Sequence, residues 1–127
     1  MLLYSTRTAV FKNGDKSTLW CRITLPTGAE DEELGARIAD FYKEIYNATY
    51  SAAREYAERI SVSDGRLVTL DISCTHAYKN DRILVKRTYT ITGKAGAIAQ
   101  RSFVDGFALK YDKTKKYSVK EHQKYNK

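Results

Sequence analysis

Two histidines, two cysteines and a scatter of carboxylates are the residues of this 127-residue chain that could do chemistry, and their spacing decides which chemistry is open to them. His76 and His122 are its only imidazoles, and neither stands at metal-ligand spacing from a cysteine or from the other. A nucleophilic triad would have to join His76 to Ser73 and Asp71. Alternation along a strand turns those two to the face opposite His76, so the set does not converge. Cys21 and Cys74 lie far apart, outside any CxxC pattern, and read as buried free thiols. Asp40 with Glu44, and Glu55 with Glu58, share helix faces as paired acids would, yet Lys43, Arg54 and Arg59 beside them make a solvated face the better reading. Thr92-Gly93-Lys94-Ala95-Gly96 mimics a phosphate loop. That motif needs glycine where Thr88 stands and Ser or Thr where Ala95 stands, so the stretch reads as a hairpin turn. Asn47-Ala48-Thr49 is a formal glycosylation sequon inside a helical pattern, where chance explains it. The expectation is a protein that is not an enzyme and uses no metal or cofactor.

The elements that position these residues follow from periodicity. Asn13-Gly14 suits a two-residue type I′ turn between two short strands. Taken literally, it sets Val10 opposite Ser17, Thr8 opposite Leu19 and Arg7 opposite Trp20. Pro26 is expected to end the second strand. Thr27 with Glu30 matches a capping box, and Glu30 to Glu33 suit the positive end of a helix dipole. Leu34, Ile38, Phe41, Ile45, Ala48, Ala52, Tyr56 and Ile60 then recur at helical spacing without a proline. This predicts a helix of about 30 residues, roughly 45 Å long, lying across a curved sheet. Asp64-Gly65 breaks it. From Val68 to Tyr78 apolar and polar residues alternate as in a half-buried strand. A turn at Asn80-Asp81 pairs Tyr78 with Ile83, Cys74 with Arg87 and Leu70 with Ile91, and the apolar faces coincide. After Gly93 to Gly96, Ile98 and Val104 are expected to face Ile91 and Val85, with a bulge at Asp105-Gly106. The fold class is thus α+β: β-β-α-β-β-β, an antiparallel curved sheet with one long helix on one face. The nearest general architecture is a cystatin-like or nuclear-transport-factor-like roll.

At 127 residues one core is feasible, and 43% hydrophobic content lies far from the disordered regime. Residues 1–109 are expected to form a single domain and residues 110–127 a basic extension. No apolar run approaches a membrane span and no leader is evident, so a cytoplasmic protein without membrane contact is expected. The chain carries 22 Lys plus Arg against 15 Asp plus Glu, a net charge of +7. Most of that excess lies in the extension, where seven lysines outnumber Asp112 and Glu121. Arg87 points at the helix-covered face, where an unpaired guanidinium costs several kcal/mol. Either a helix acid such as Asp40 or Glu44 is its partner, or it lies near a sheet edge and snorkels to water. The open face of the sheet is the candidate binding surface: Arg7, Trp20 and Arg22 from the first hairpin, and Lys86, Arg101 and Phe103 from the last, with Asp71 the acid among them. Two readings of that face follow. In the first, a protein partner, a second copy or the C-terminal extension covers it; in the second, the face and the lysines neutralise nucleic-acid phosphates. A third reading, a small-molecule enzyme, needs a deep polar pocket near Tyr42, Tyr46, His76 and Tyr89.

The order of elements from Tyr4 to Leu109 resembles a bacterial domain of unknown function found in small Gram-positive proteins and in the extracytoplasmic part of a lysozyme-sensing anti-sigma factor. Ile38-Ala39-Asp40-Phe41-Tyr42 is similar to that family's Ile-Asn-x-Phe-Tyr helix motif, and Arg66 to Thr92 to its following strands. Where the family has Tyr-Thr-Gly-Gly-Ala-His, this chain has Thr75-His76-Ala77-Tyr78-Lys79-Asn80. The resemblance implies a non-catalytic α+β domain that binds protein.

Overall fold

The computed structural model describes residues 1–62 and 66–109; the expected break at Asp64-Gly65 and the basic extension lie outside them. Five strands and one helix follow in the expected order: β1 (Leu2–Asn13), β2 (Lys16–Ala29), α1 (Glu32–Ala57), β3 (Val68–Lys79), β4 (Arg82–Gly93) and β5 (Gly96–Ala108). They form one curved, unclosed sheet in the order β1-β2-β3-β4-β5, with α1 on one face, an α+β fold. Three of the four pairings are antiparallel, but β2 and β3 run parallel from Leu19↔Val68 to Ile23↔Ile72. The helix causes this. It carries the chain back along the sheet before β3 starts, as a parallel crossover requires.

The β3–β4 hairpin has the predicted register throughout, with Asn80 at φ 57 in its turn. The other two hairpins do not, and for a shared reason. In β1–β2 the two-residue loop is Gly14-Asp15, since Asn13 pairs with Lys16, and the register breaks between Phe11 and Lys12. Thr18 is the extra residue. It is fully buried and its hydroxyl donates to the Ala57 carbonyl at the end of α1 (2.8 Å). The result is Phe11↔Leu19, Ala9↔Cys21 and Arg7↔Ile23, which puts Phe11 in the core and turns Arg7 to the helix side. In β4–β5 the break lies between Ile91 and Thr92, leaving Ile98 as the extra residue, and no register break occurs at Asp105-Gly106. Ala99 therefore faces Ile91, Phe103 faces Arg87, and Asp105 faces Val85. An extra residue reverses which side every later side chain takes.

β2 does not stop at Pro26. Its ladder to β3 has already ended at Ile23, so the missing N–H of proline costs nothing on that side, and the strand continues to Ala29. The helix opens one turn later than the Thr27–Glu30 box predicts: Asp31 is the N-cap, its carboxylate accepting from the Leu34 N–H (2.9 Å). Glu32 and Glu33 lie in the first turn, where the helix dipole favours them. At 26 residues the helix spans about 39 Å, and Ile60 lies beyond it. α1 packs chiefly on β2 and secondarily on β1. Its first turns bury Leu34, Ile38, Phe41 and Tyr42; Phe41 meets Phe107 of β5 edge-on at 5.3 Å. Its last turns bury Ala53 and Ala57 near Thr18. Each large core side chain removed from water contributes about 1.5–3 kcal/mol.

Candidate functional site

With the start of α1 anchored at the C-terminal end of β5 and its end at the β1–β2 hairpin, the far corner of the sheet is left uncovered. There a groove of about 630 Å³ opens between the second half of α1 and the tip of the β4–β5 hairpin. Its walls are apolar: Ile45, Ala52 and Tyr56 from the helix, Leu70, Tyr89, Ile91 and Phe103 from the strands. Among the described residues, the charged ones lining it are Arg59, Arg87 and Arg101, with no Asp or Glu. Tyr89 stands edge-on to Phe103 at 5.5 Å.

Arg87 forms the inner end of this groove. Asp105, not Asp40 or Glu44, is its partner: Nε donates to Oδ2 (2.5 Å) and Nη2 to Oδ1 (3.0 Å), while Nη1 donates to the Tyr89 hydroxyl (2.6 Å). The guanidinium lies 5.1 Å from the centre of the Phe103 ring. Tyr42 donates to the same Asp105 oxygen (2.7 Å). Burial alone would lower the Arg87 pKa, but the hydrogen bonds and charge of Asp105, with smaller help from Tyr89 and Tyr42, outweigh it and hold it above the ordinary value. Burial and then the nearby Asp105 charge push the Tyr42 phenol well up. Burial raises the Cys74 thiol to about 12, Arg87 opposing and Asp105 adding, and burial raises Cys21 to about 11. Neither thiol is a nucleophile at neutral pH.

The six residues expected to share the open face are divided by the two register breaks. Trp20, Arg22 and Lys86 do lie there. Arg22 is paired with Asp71 across the parallel ladder (2.7 Å), and the neighbours are hydroxyls: Thr6 bonds Thr24 (2.8 Å) and Thr88 bonds Ser102 (3.1 Å). Arg7 is instead on the helix side, 4.8 Å over the Tyr46 ring, in a smaller cleft of about 300 Å³ that Lys43 also lines. Arg101 and Phe103 are on the helix side too, facing Tyr89 and Arg87 and lining the groove. The four residues of the enzyme reading come together only in part. Tyr42, tied to Asp105, and Tyr46 both line the smaller cleft, whereas His76 accepts or donates at Nδ1 to the Tyr4 hydroxyl (2.5 Å) and Tyr89 lines the large groove. Burial, with Cys74 and Tyr78 adding, raises the Tyr4 phenol to about 12. Sequence reasoning missed the groove because it lies where the helix is absent. The signal for it was Arg87, whose need for a carboxylate fixes the β5 register.

Among the described residues no three potential metal ligands cluster, and no helix is long and apolar enough to cross a membrane. The described residues form an α+β fold with a mixed five-stranded sheet and one covering helix. No family model and no curated protein matches the chain. Among solved structures it is similar to a Bacteroides fragilis protein described as a member of the duf3298 family, at 14% identity and a TM-score of 0.44. The match covers 85% of this chain and 56% of that one, so this chain spans little more than half of its length.

Proposed function

We propose that the chain is a non-catalytic binding domain that takes an amphipathic anion in the groove between α1 and the β4–β5 hairpin. One observation carries the reading: a groove of about 630 Å³, within the ordinary range for small-ligand sites, has apolar walls and, among the described residues, only arginines for charge. An apolar body would displace water from Ile45, Tyr56, Ile91 and Phe103, while a carboxylate or similar group at the mouth would meet Arg101 and Arg59. Arg87 is already satisfied by Asp105 and acts as a fixed wall rather than a headgroup ligand.

Titration calorimetry with dodecanoate, dodecanol and dodecyltrimethylammonium below their micellar concentrations tests this. The carboxylate should bind more tightly than the alcohol and the cation should bind least. Arg101→Glu should weaken dodecanoate roughly threefold to tenfold. Equal affinity for all three, or none, refutes the reading. A mixed oligonucleotide pool is the counter-probe: binding that falls steeply between about 50 and 200 mM salt, without any response to dodecanoate, would put the basic-face alternative in its place.

A further inference from the structure

The β4–β5 hairpin runs past the helix, and every residue of β5 from Gly96 to Phe103 is exposed, Ile98 at 61% and Phe103 at 45%. β5 is also the last strand in the sheet order, so among the described residues no strand lies along its outer side. An exposed edge is ordinarily guarded by charges, proline, bulges or brevity. The opposite edge, β1, has such guards: two register breaks, with Arg7 and Lys12 along it. Between residues 96 and 103 β5 has one charge, Arg101, and no proline, and its single irregular step is at Ile98 beside the turn. Here the sheet offers a long, nearly uncharged template.

We propose that this edge pairs antiparallel with the same edge of a second copy of the chain, about a two-fold axis normal to the sheet at Gln100. Such an axis leaves every side chain on its own face, so it pairs residues of equal parity. At Gln100 it overlaps Ile98–Ser102 with itself, setting Gln100 against Gln100, Arg101 against Ala99 and Ser102 against Ile98, and it stops there because the irregular step at Ile98 puts Ala97 on the face opposite Phe103. An axis at Arg101 would set two guanidiniums directly opposite, which is unfavourable, and one at Ala99 would bring the irregular step at Ile98 beside the axis. The chain's own residues 110–127 suit the edge less well, since their seven lysines would run beside Arg101 with no carboxylate in the stretch 96–103 to meet them. Edge pairing leaves the helix-side face of the groove open, and it holds whether or not the groove takes an anion.

Light scattering on the eluting full chain, combined with amide hydrogen exchange, tests the proposal. The expected result is a mass twice the 14.5 kDa of one chain, with slowed exchange at alternate amides between residues 97 and 103. Gln100→Glu gives up only a 3.3 Å bond to the Thr90 hydroxyl, so the fold survives it. It should weaken the dimer about fivefold, and mixing it with Gln100→Lys chains should restore association by bringing opposite charges to the axis. A monomer with fast exchange along 97–103 overturns the proposal. So does a monomer with slow exchange there, which would give the edge to the chain's own basic segment, and so does a dimer whose 97–103 amides exchange fast. A dimer that Gln100→Glu leaves intact overturns the axis.

Discussion

Replacing Asp105 by Asn should destabilise the domain far more than replacing both members of the Arg87–Asp105 pair. The two side chains are 11% and 3% exposed, and the carboxylate takes two guanidinium bonds and the Tyr42 hydroxyl. Breaking a buried pair by removing one partner costs about 3–5 kcal/mol, because the charge left behind stays buried. With a urea dependence of about 2 kcal/mol per molar, a loss of 4 kcal/mol lowers the unfolding midpoint by about 2 M. In the double variant Arg87→Met, Asp105→Leu no charge is left, and stability should return to within about 2 kcal/mol of the parent. The single variants should also differ from each other in pH response. After Arg87→Met the buried carboxylate can neutralise itself by taking a proton, so the folded form binds more protons than the unfolded one and stability rises as pH falls from about 7 to 5. After Asp105→Asn the guanidinium cannot shed its proton, and no such recovery occurs. Urea unfolding followed by circular dichroism at both pH values reads all of this. An Asp105→Asn loss below about 1 kcal/mol, or a double variant no better than that single one, would refute the buried-pair account.

Cys21 and Cys74 should be silent to Ellman's reagent in the native protein near neutral pH and react fully in denaturant, because their thiols titrate near 11 and 12. The same raised values, with those of Tyr4 and Tyr42, make the folded state hold protons that the unfolded chain releases. Stability should therefore be fully present below about pH 9 and decline as pH rises toward the folded values, which urea midpoints at increasing pH would register. Gly35→Ala should destabilise by about 1–3 kcal/mol despite alanine's better helix propensity, since a Cβ there would stand 2.9 Å from the Ala29 backbone nitrogen, and thermal unfolding measures it.

The parts of the fold that could be read in the sequence are those whose register has no extra residue. The β3–β4 hairpin is regular, so alternation from Leu70 to Tyr78 found its partners residue by residue. The helix was legible from Leu34 to Tyr56, and only its ends moved, because a cap one turn later at Asp31 serves the same orphan N–H groups. The first and last hairpins misled the reading because one unpaired residue, Thr18 or Ile98, inverts the facing of everything beyond it. Both inversions left a trace. In the literal register Phe11 points outward beside Lys12's ladder, whereas the observed one brings Phe11 to Leu19 and leaves Thr18 to bond the helix end. In the last hairpin the literal register strands Arg87 without a carboxylate on its own face. Sliding β5 by one residue turns Asp105, Phe103 and Phe107 to that face together, satisfying the charge and filling the core in one step.

The uncovered corner has the same origin. A helix whose first half is fixed by Phe41 and Tyr42 against Phe107, and whose last turn is fixed by the Ala57 carbonyl on Thr18, must lie along β2. It cannot also reach the tip of β4–β5. Two consequences then compete for the exposed apolar side chains there, since Ile91 and Phe103 face the groove while Ile98 stands at the edge. They are separable because the groove uses the helix-side face of β5 and the second copy would use its backbone edge. Arg101→Glu should therefore lower dodecanoate affinity while leaving the 97–103 amides protected. Gln100 also lines the groove, so its Glu and Lys variants are read for association alone. If Arg101→Glu removed both the anion and the amide protection, the face and the edge would be one site, and the separation drawn from the strand geometry would fail.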